Sequence, residues 1–437
     1  ASARVRWPAQ TQPPGRALVI AVWPAAQAAD THRALPWPAA GITTRHGAAP
    51  RWQAANRADA TRRHPWGRFS QALPAGWMVV TRPPGVIIQD PCIIAPARFY
   101  MAVHSLTAVT VPGGEPVPIY GVTLSADAGS YAWQFSAQAP RSVFDQLAPV
   151  AGAPQQIRIT LDGIPFLFAV DRLSKTESFG RADATIAGRS ITAALSRPFA
   201  RELTRTNTSA ANAQQLAAAA LDLTGFALDW GIVDWLVPAG AWSHTSTPLA
   251  AVQAIAEAAG AYVQSARNAA AVLVRHPYPA MQGGSIAAGP WNWDAADPDV
   301  VLAPDAVVTT AIERQDGADI NAVYVCGTNA GVRALVKRTG TAGDKLSAMV
   351  TDPLITAEAA ARQRGTAIVG AAGAKQLVTI ELPLLTAEIA PGVLDVGQLI
   401  EIDAAQPWRG MVRAVNVSAQ FGRQVRQTAT VERHLNE

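Results

Sequence analysis

Few residues in the chain have the spacing that catalysis or ligand binding requires. Gly340–Lys345 reads GTAGDK, which has the glycines and lysine of a phosphate-binding loop without its spacing, and a flexible strand connection fits it better. The seven histidines never fall at metal-ligand spacing. Neither a Gly-x-Ser-x-Gly nor a His-Glu-x-x-His motif occurs. We therefore expect no catalytic residue, no cofactor, no metal and no enzymatic activity.

One pair of acids leaves an alternative open. Asp229 and Asp234 flank Trp230 and Trp235, and carboxylates beside tryptophans are found in sugar-binding and glycoside-cleaving sites. Any two acids can meet in a fold, so the sequence does not exclude such a pair. Packing of the two tryptophans beside solvated carboxylates is the interpretation that the residue types favour.

The composition indicates a globular protein of several domains. The 437 residues are 49% hydrophobic and only 16% charged, and they include 13 Trp. This length allows two to four domains with real cores. No apolar run approaches the roughly 18 residues of a membrane span, and the first twenty residues do not resemble a secretory signal. Cys92 and Cys326 are too few for a disulfide framework, which fits a reducing cytoplasm.

The positive charge is concentrated at the N-terminus. Residues 1–100 contain 12 Arg and three Asp and no Lys or Glu, so their net charge is +9. Because the net charge of the whole chain is +4, the remaining residues carry −5. A basic segment followed by an acidic body is compatible with nucleic-acid binding. Docking onto an acidic partner, or onto the acidic body of the same chain, explains the pattern equally well.

The same N-terminal stretch carries tryptophans at intervals of about fifteen residues, too short for a repeat that buries its own core. Three of them precede a proline, which disfavours helix at each of these points. We interpret residues 1–76 as an extended arm whose tryptophans insert into pockets elsewhere, although a disordered tail is the alternative. The predicted anchors of this arm are Trp7, Trp23, Trp37, Trp52 and Trp66.

Two similar hairpins predict an internal duplication. Val170–Arg189 and Val412–Arg433 each contain alternating apolar residues, a Phe-Gly-Arg turn, and a run of β-branched residues that ends in a basic residue. Chance similarity of two hairpins is the alternative. The predicted turn residues are Phe179, Gly180 and Arg181 in the first hairpin and Phe421, Gly422 and Arg423 in the second.

The segment between the hairpins has a different pattern. Ala210–Thr224 is a strong helix, and Thr247-Pro248 begins a second helix that Gly260 ends. Short strands alternate with these helices, which is typical of a small α/β domain. The predicted fold is therefore mainly β with an α/β insert. Its predicted segments are an arm at 1–76, a first tube-like β-domain at 77–200, a small α/β insert at 201–290, and a connector with a second tube-like β-domain at 291–437.

The order of these elements resembles the hub proteins of bacteriophage tails and baseplates, in particular the Mu-like hub family. The resemblance lies in Ala182–Thr192, a strand that leads through Gly-Arg-Ser into a helix, and in Gly392–Arg433, where Pro-Gly and Asp-Val-Gly-Gln motifs precede the last hairpin. It covers roughly residues 117–437 and rests on pattern and order, with no invariant catalytic motif. The tryptophan-rich arm departs from the simplest members of the family.

The resemblance implies a structural virion protein at the tail tip, assembled in the host bacterial cytoplasm. It implies two antiparallel β-barrel domains in a homotrimer around a channel for DNA ejection. The implied partners are a distal tail or tail tube protein, a tip fibre or spike protein, the tape measure protein and the passing DNA. A component of a type VI secretion spike, or a tip protein that cleaves or binds the host envelope, stays open as the alternative.

Overall fold

The computed structural model describes most of the chain beyond residue 102. The described residues are 18–21, 92–93, 103–150, 153–179, 181–282, 285–287, 293, 296–384, 392–420 and 425–434. All of them belong to one compact unit, which comprises Ala1–Pro24 and Pro91–Glu437.

The first part of the chain is built from strands with one short helix. Asp162 and Gly163 form a tight turn with φ of 51° and 81°, a conformation that glycine adopts without strain, so two long strands fold back on each other there. The elements are β1 (Leu18–Ala21), β2 (Cys92–Ile93), β3 (Val103–Val111), β4 (Gly121–Asp127), β5 (Gln134–Pro140), α1 (Ser142–Gln146), β6 (Gln156–Leu161), β7 (Ile164–Ser178) and β8 (Arg181–Ser190).

The middle part alternates helices and short strands, as the sequence predicts. A 3₁₀ helix at Ile191–Leu195 precedes it. The side chain of Thr247 accepts a hydrogen bond from the backbone N–H of Ala250, which confirms the predicted start of the second helix. The elements are β9 (Leu203–Thr206), β10 (Ala211–Asn212), α2 (Ala213–Ala220), β11 (Ala227–Gly231), β12 (Leu236–Val237), β13 (Ser243–Ser246), α3 (Pro248–Ala258), β14 (Tyr262–Ser265) and β15 (Ala271–Arg275).

The last part returns to strands, again with one helix among them. A short 3₁₀ helix at Pro304–Ala306 leads into it. The elements are β16 (Ala280–Gln282), β17 (Ser285–Ala287), β18 (Val300–Leu302), β19 (Thr309–Gln315), β20 (Ala322–Gly327), β21 (Arg333–Lys337), β22 (Val350–Asp352), α4 (Glu358–Ala371), β23 (Lys375–Pro383), β24 (Leu399–Ile402), β25 (Trp408–Gln420) and β26 (Arg426–His434).

Strands from the first and last parts form one sheet of 14 strands in the described residues. The order along it is β1-β3-β6-β7-β8-β5-β4-β25-β24-β18-β2, and β26, β23 and β19 extend it from the other side of β25. The two predicted β-domains are joined where β4 pairs with β25, antiparallel from Gly121 opposite Gln420 to Asp127 opposite Ala414. β1 pairs with β3, so one four-residue stretch of the predicted arm is part of this sheet.

Alternate residues of these strands face one hydrophobic core. β5 shows the period-two burial that its sequence predicts, with Phe135, Ala137 and Ala139 buried between exposed neighbours. The same core contains Phe166 and Phe168 from β7 and Ile380 from β23. The sheet of the first part and that of the last part therefore share one core.

A second core lies among the helices. It contains buried residues of α2 and α3, and also Val323 and Val325 of β20 and Ala360 and Ala361 of α4. Residues from the predicted insert and from the segment after it thus pack together. The predicted division of the chain into four segments stays a prediction, whereas the mainly β fold with α/β elements is confirmed.

Candidate functional site

The first and last parts of the large sheet repeat the same arrangement. Five strands of the first part lie in the order β4-β5-β8-β7-β6, and five of the last part lie in the order β19-β23-β26-β25-β24, all antiparallel. In chain order, the five strands of each set occupy the same succession of positions in the sheet. A matching backbone hydrogen bond lies just before the first strand of each set. The N–H of Tyr120 donates to the carbonyl of Gln138 at 2.7 Å, and the N–H of Val308 donates to the carbonyl of Glu381 at 2.8 Å. The strand order therefore agrees with the predicted duplication.

Each set contains a long hairpin with a bulge in its first strand. The register of β7 against β8 shifts at Asp171, and that of β25 against β26 shifts at Arg413. Asp171 is eight residues before Phe179, and Arg413 is eight residues before Phe421. An extra residue at the same place bends both strands alike, which makes the bulge a shared feature of the two hairpins.

The bulge residue forms an ion pair with the opposite strand in both hairpins, but with the charges exchanged. In the first hairpin the carboxylate of Asp171 accepts a hydrogen bond from Nε of Arg189 at 2.5 Å. In the second hairpin Nε of Arg413 donates to Oε2 of Glu432 at 2.8 Å. The two pairs occupy equivalent positions, so the ionic contact is kept while its polarity is reversed.

A tyrosine from outside the hairpin completes each ion pair. The guanidinium of Arg189 donates to the hydroxyl of Tyr131 at 2.7 Å. In the second hairpin the hydroxyl of Tyr278 donates to Oε1 of Glu432 at 2.6 Å, and the guanidinium of Arg413 lies 5.0 Å from the centre of the Tyr278 ring. A tyrosine hydroxyl can donate or accept a hydrogen bond, so it can bind either the guanidinium or the carboxylate of the ion pair.

Glu432 is the most strongly perturbed of these groups. Burial by itself raises the pKa of Glu432, but the hydrogen bond from His434, the charge of Arg413 and the hydroxyl of Tyr278 outweigh burial and hold the pKa well below its usual range. Burial raises the pKa of the Tyr278 hydroxyl. Glu432 is thus a buried anion with several partners, which is typical of a structural ion pair rather than of a proton donor.

The predicted turn and arm residues are only partly within the described residues. Phe179 lies at the turn between β7 and β8 and is fully exposed, and Arg181 is the first residue of β8. Outside the described residues lie Gly180, Phe421, Gly422 and Arg423, together with the arm anchors Trp7, Trp23, Trp37, Trp52 and Trp66.

The acids of the possible sugar site are both engaged in structural contacts. The carboxylate of Asp229 pairs with Arg275 at 2.5 Å, and the hydrogen bond from Arg275 lowers its pKa. Asp234 accepts hydrogen bonds from the side chain of Asn212 at 2.8 Å and from the backbone N–H of Gln214 at 3.0 Å, at the start of α2. Trp235 is buried and donates to the carbonyl of Leu354 at 2.8 Å. The geometry indicates a helix start and an ion pair, as the residue types favour.

The described residues contain neither a cluster of metal ligands nor a membrane-spanning helix. No group of three or more His, Cys, Asp or Glu in the described part of the chain could hold a metal ion. No helix within the described ranges is long and apolar enough to span a bilayer.

These observations define a mainly β protein with a duplicated sheet and an α/β portion. No protein-family model matches the sequence, and no curated protein matches it. Among solved structures, a tail protein from Neisseria meningitidis MC58 aligns with a TM-score of 0.52 at 13% identity, over 75% of this chain and 96% of that chain. The 43 kDa tail protein of prophage MuSo2 from Shewanella oneidensis aligns with a TM-score of 0.50 at 11% identity, over 76% of this chain and 98% of that one.

These identities are low, so the likeness concerns the fold. The chain has the fold of phage tail proteins, and it spans nearly the whole length of both structures. The resemblance that the order of elements predicts is confirmed at this level.

Proposed function

We propose that the protein is a structural component of a phage tail, the hub that joins the tail tube or distal tail ring to the tip fibre or spike. The observation that carries this proposal is the common fold with two phage tail proteins, each aligned over more than nine-tenths of its length. The tape measure protein is the further expected neighbour. The proposed role includes no catalytic step, and the carboxylates of Asp229 and Glu432 are both engaged in ion pairs.

The duplicated sheet supports a homotrimer as the assembled form. A six-fold tube that ends in a three-fold tip needs a component that presents both symmetries. Three copies of a chain with two similar sheets offer six similar positions around one axis, while their α/β portions keep three-fold symmetry. A ring also covers sheet edges, which are otherwise exposed to aggregation.

A channel through this ring is proposed to pass DNA. The net charge of the whole chain is +4 and that of its first 100 residues is +9, so the residues after position 100 carry −5. A mildly acidic wall repels the phosphate backbone, so DNA slides through without binding.

The location of the protein on the particle tests the proposed role. Tail particles that contain this chain, labelled with gold-conjugated antibody against the purified protein, should carry gold at the end of the tail distal to the head. Label along the whole tube, or label only on the head, would contradict the hub role. Symmetry analysis of the labelled tip by cryo-electron microscopy then tests the number of copies, since six copies at one level would contradict the trimer.

A further inference from the structure

A cleft of about 450 Å³ lies between the sheet of β11, β15 and β14 and the loop that precedes β24. One face of this sheet packs on the second core through Val263, Val272 and Val274. Because side chains alternate along a strand, the other face, which includes Tyr262 and Gln264, lines the cleft. Small-molecule sites have volumes of roughly 300–1,000 Å³, so the cleft has the size of a ligand site.

The opposite wall of the cleft is Asp395–Gln398, the Asp-Val-Gly-Gln motif that precedes the last hairpin. Gly397 has φ of 89°, and a Cβ on it would lie 2.6 Å from the hydroxyl oxygen of Tyr262. Glycine therefore lets this loop approach the tyrosine, which a larger residue would prevent. The motif thus shapes the cleft.

The sheet side of the cleft offers polar atoms that are not used within the fold. Gln264 is only 6% exposed, and its Nε2 donates to the carbonyl oxygens of Asp127 at 2.9 Å and Ser130 at 2.8 Å. These two bonds fix the orientation of the amide, and its Oε1 accepts no hydrogen bond from the described residues. The hydroxyl of Tyr262 has no hydrogen-bond partner among them either. Burial raises the pKa of this hydroxyl, so it stays neutral and can donate or accept.

The loop side offers a carboxylate, a guanidinium and an amide. Asp395 accepts no side-chain hydrogen bond from the described residues, and its contact is an ion pair with Arg267 at 3.3 Å. Burial raises the pKa of Asp395, which the charge of Arg267 offsets only in part. The five N–H groups of Arg267 make one hydrogen bond in the described part of the chain, to the carbonyl of Val393 at 3.3 Å. Gln398 accepts from the backbone N–H of Asp395 at 2.8 Å through Oε1, which leaves its Nε2 to donate elsewhere.

The charges at the cleft are balanced. Arg267 is paired with Asp395, and Arg275 is paired with Asp229. Burial lowers the pKa of His276, so its imidazole adds no charge at neutral pH. A charged ligand would therefore have no opposite charge left to compensate it, which disfavours its burial. The cleft fits an uncharged ligand whose groups both donate and accept.

We propose that this cleft binds an uncharged saccharide. Neighbouring hydroxyls of a sugar ring each donate and accept, so one can donate to Asp395 while the next accepts from Arg267. The apolar side chains of Leu273, Val396 and Trp133 also line the cleft and can pack on the C–H groups of the ring. An extended peptide supplies one donor and one acceptor per residue, about 3.3 Å of chain, and matches this dense set of polar groups less well. This binding goes beyond the proposed hub role and does not depend on it.

Saturation-transfer NMR of the full-length chain tests the class of ligand. The probes are uncharged hexoses, N-acetylhexosamines and their disaccharides, with uronic acids and uncharged tripeptides for comparison. At least one uncharged saccharide should bind saturably, and uronic acids should bind more weakly, because their carboxylate is repelled by Asp395. The proposal is overturned if no uncharged saccharide binds, or if the uronic acids or the tripeptides bind better.

Substitution of Asp395 tests the location of the site. Asp395→Asn keeps the shape of the side chain but removes its charge, and should weaken the affinity for the bound saccharide at least about tenfold by calorimetry. Asp145→Asn, at an exposed position of α1, is the matched control and should leave the affinity unchanged. Circular dichroism should show both variants folded. Equal affinity in the two variants overturns the proposal.

Tyr262→Phe provides a second test, since it removes only the hydroxyl. The affinity for the same saccharide should fall by about fivefold, the effect of one neutral hydrogen bond. Tyr120→Phe is its control, because Tyr120 is 48% exposed and does not line the cleft. A loss of affinity in both variants, or in neither, overturns the assignment of the saccharide to this cleft.

Discussion

At the scale of single residues, the buried anion Glu432 depends on its partners more than any other group of the hairpins. Its carboxylate contacts Arg413, the hydroxyl of Tyr278 and Nε2 of His434 at 2.6–2.8 Å. Removing the charge leaves the largely buried guanidinium of Arg413 without its anion, and breaking an ion pair with a buried partner in this way is costly. The ionised form of Glu432 therefore stabilises the fold at neutral pH.

Glu432→Gln should lower the free energy of unfolding at pH 7 by about 3 kcal/mol. The folded-state pKa of Glu432 is below its unfolded value, so its contribution is present above about pH 5 and is lost as the pH falls through the folded pKa. Denaturant unfolding at several pH values should thus show a steeper loss on acidification in the unmodified protein than in the variant. Parallel curves would contradict the assignment of the acid sensitivity to Glu432.

The exchanged polarity of the two bulge ion pairs allows a reversal experiment. Asp171→Arg places two guanidinium groups together and should cost about 1 kcal/mol, since the pair is partly exposed. Adding Arg189→Glu recreates the arrangement of the second hairpin, where a tyrosine hydroxyl donates to the carboxylate. The double variant should recover most of the loss in urea unfolding. No recovery would show that the two sites are not interchangeable.

At the scale of elements, the bend in the first hairpin requires close approach of two backbones. A Cβ on Gly188 would lie 2.0 Å from the carbonyl oxygen of Ala169 and 2.7 Å from Cε1 of Phe135. Val170 lies opposite Gly188, immediately before the bulge at Asp171. The glycine is therefore a packing requirement of the hairpin.

Gly188→Ala should lower the free energy of unfolding by about 3 kcal/mol, because the carbonyl of Ala169 cannot move without breaking the ladder. Thr185→Ala, at an exposed position of the same strand, is the control and should change stability by less than about 0.5 kcal/mol. Thermal unfolding of both variants by circular dichroism measures the difference. Equal stabilities would mean that the bulge relaxes to accept a side chain.

At the scale of the whole molecule, the proposed hub role predicts assembly without catalysis. The proposed hub catalyses no reaction. A purified sample should therefore produce no clearing on a zymogram, a gel that contains bacterial cell wall as the substrate. Clearing that disappears with Asp229→Asn or Asp234→Asn would identify a sugar-cleaving site and contradict the structural role. A commercial lysozyme on the same gel serves as the positive control.

The sequence by itself determined the local elements. The Asp162-Gly163 turn, the Thr247 cap and the alternation in β5 depend on neighbours within a few residues, so their signals are present in the sequence. The repeated hairpins were visible for the same reason, because alternation and a turn residue are local features. The mainly β class and the likeness to tail proteins follow from the order of these elements.

Only the tertiary structure decided which strands meet. The pairing of β4 with β25 joins residues separated by nearly three hundred positions, and no local signal specifies such a partner. The exchange of charges between Asp171–Arg189 and Arg413–Glu432 was equally hidden, because each pair is assembled across two strands.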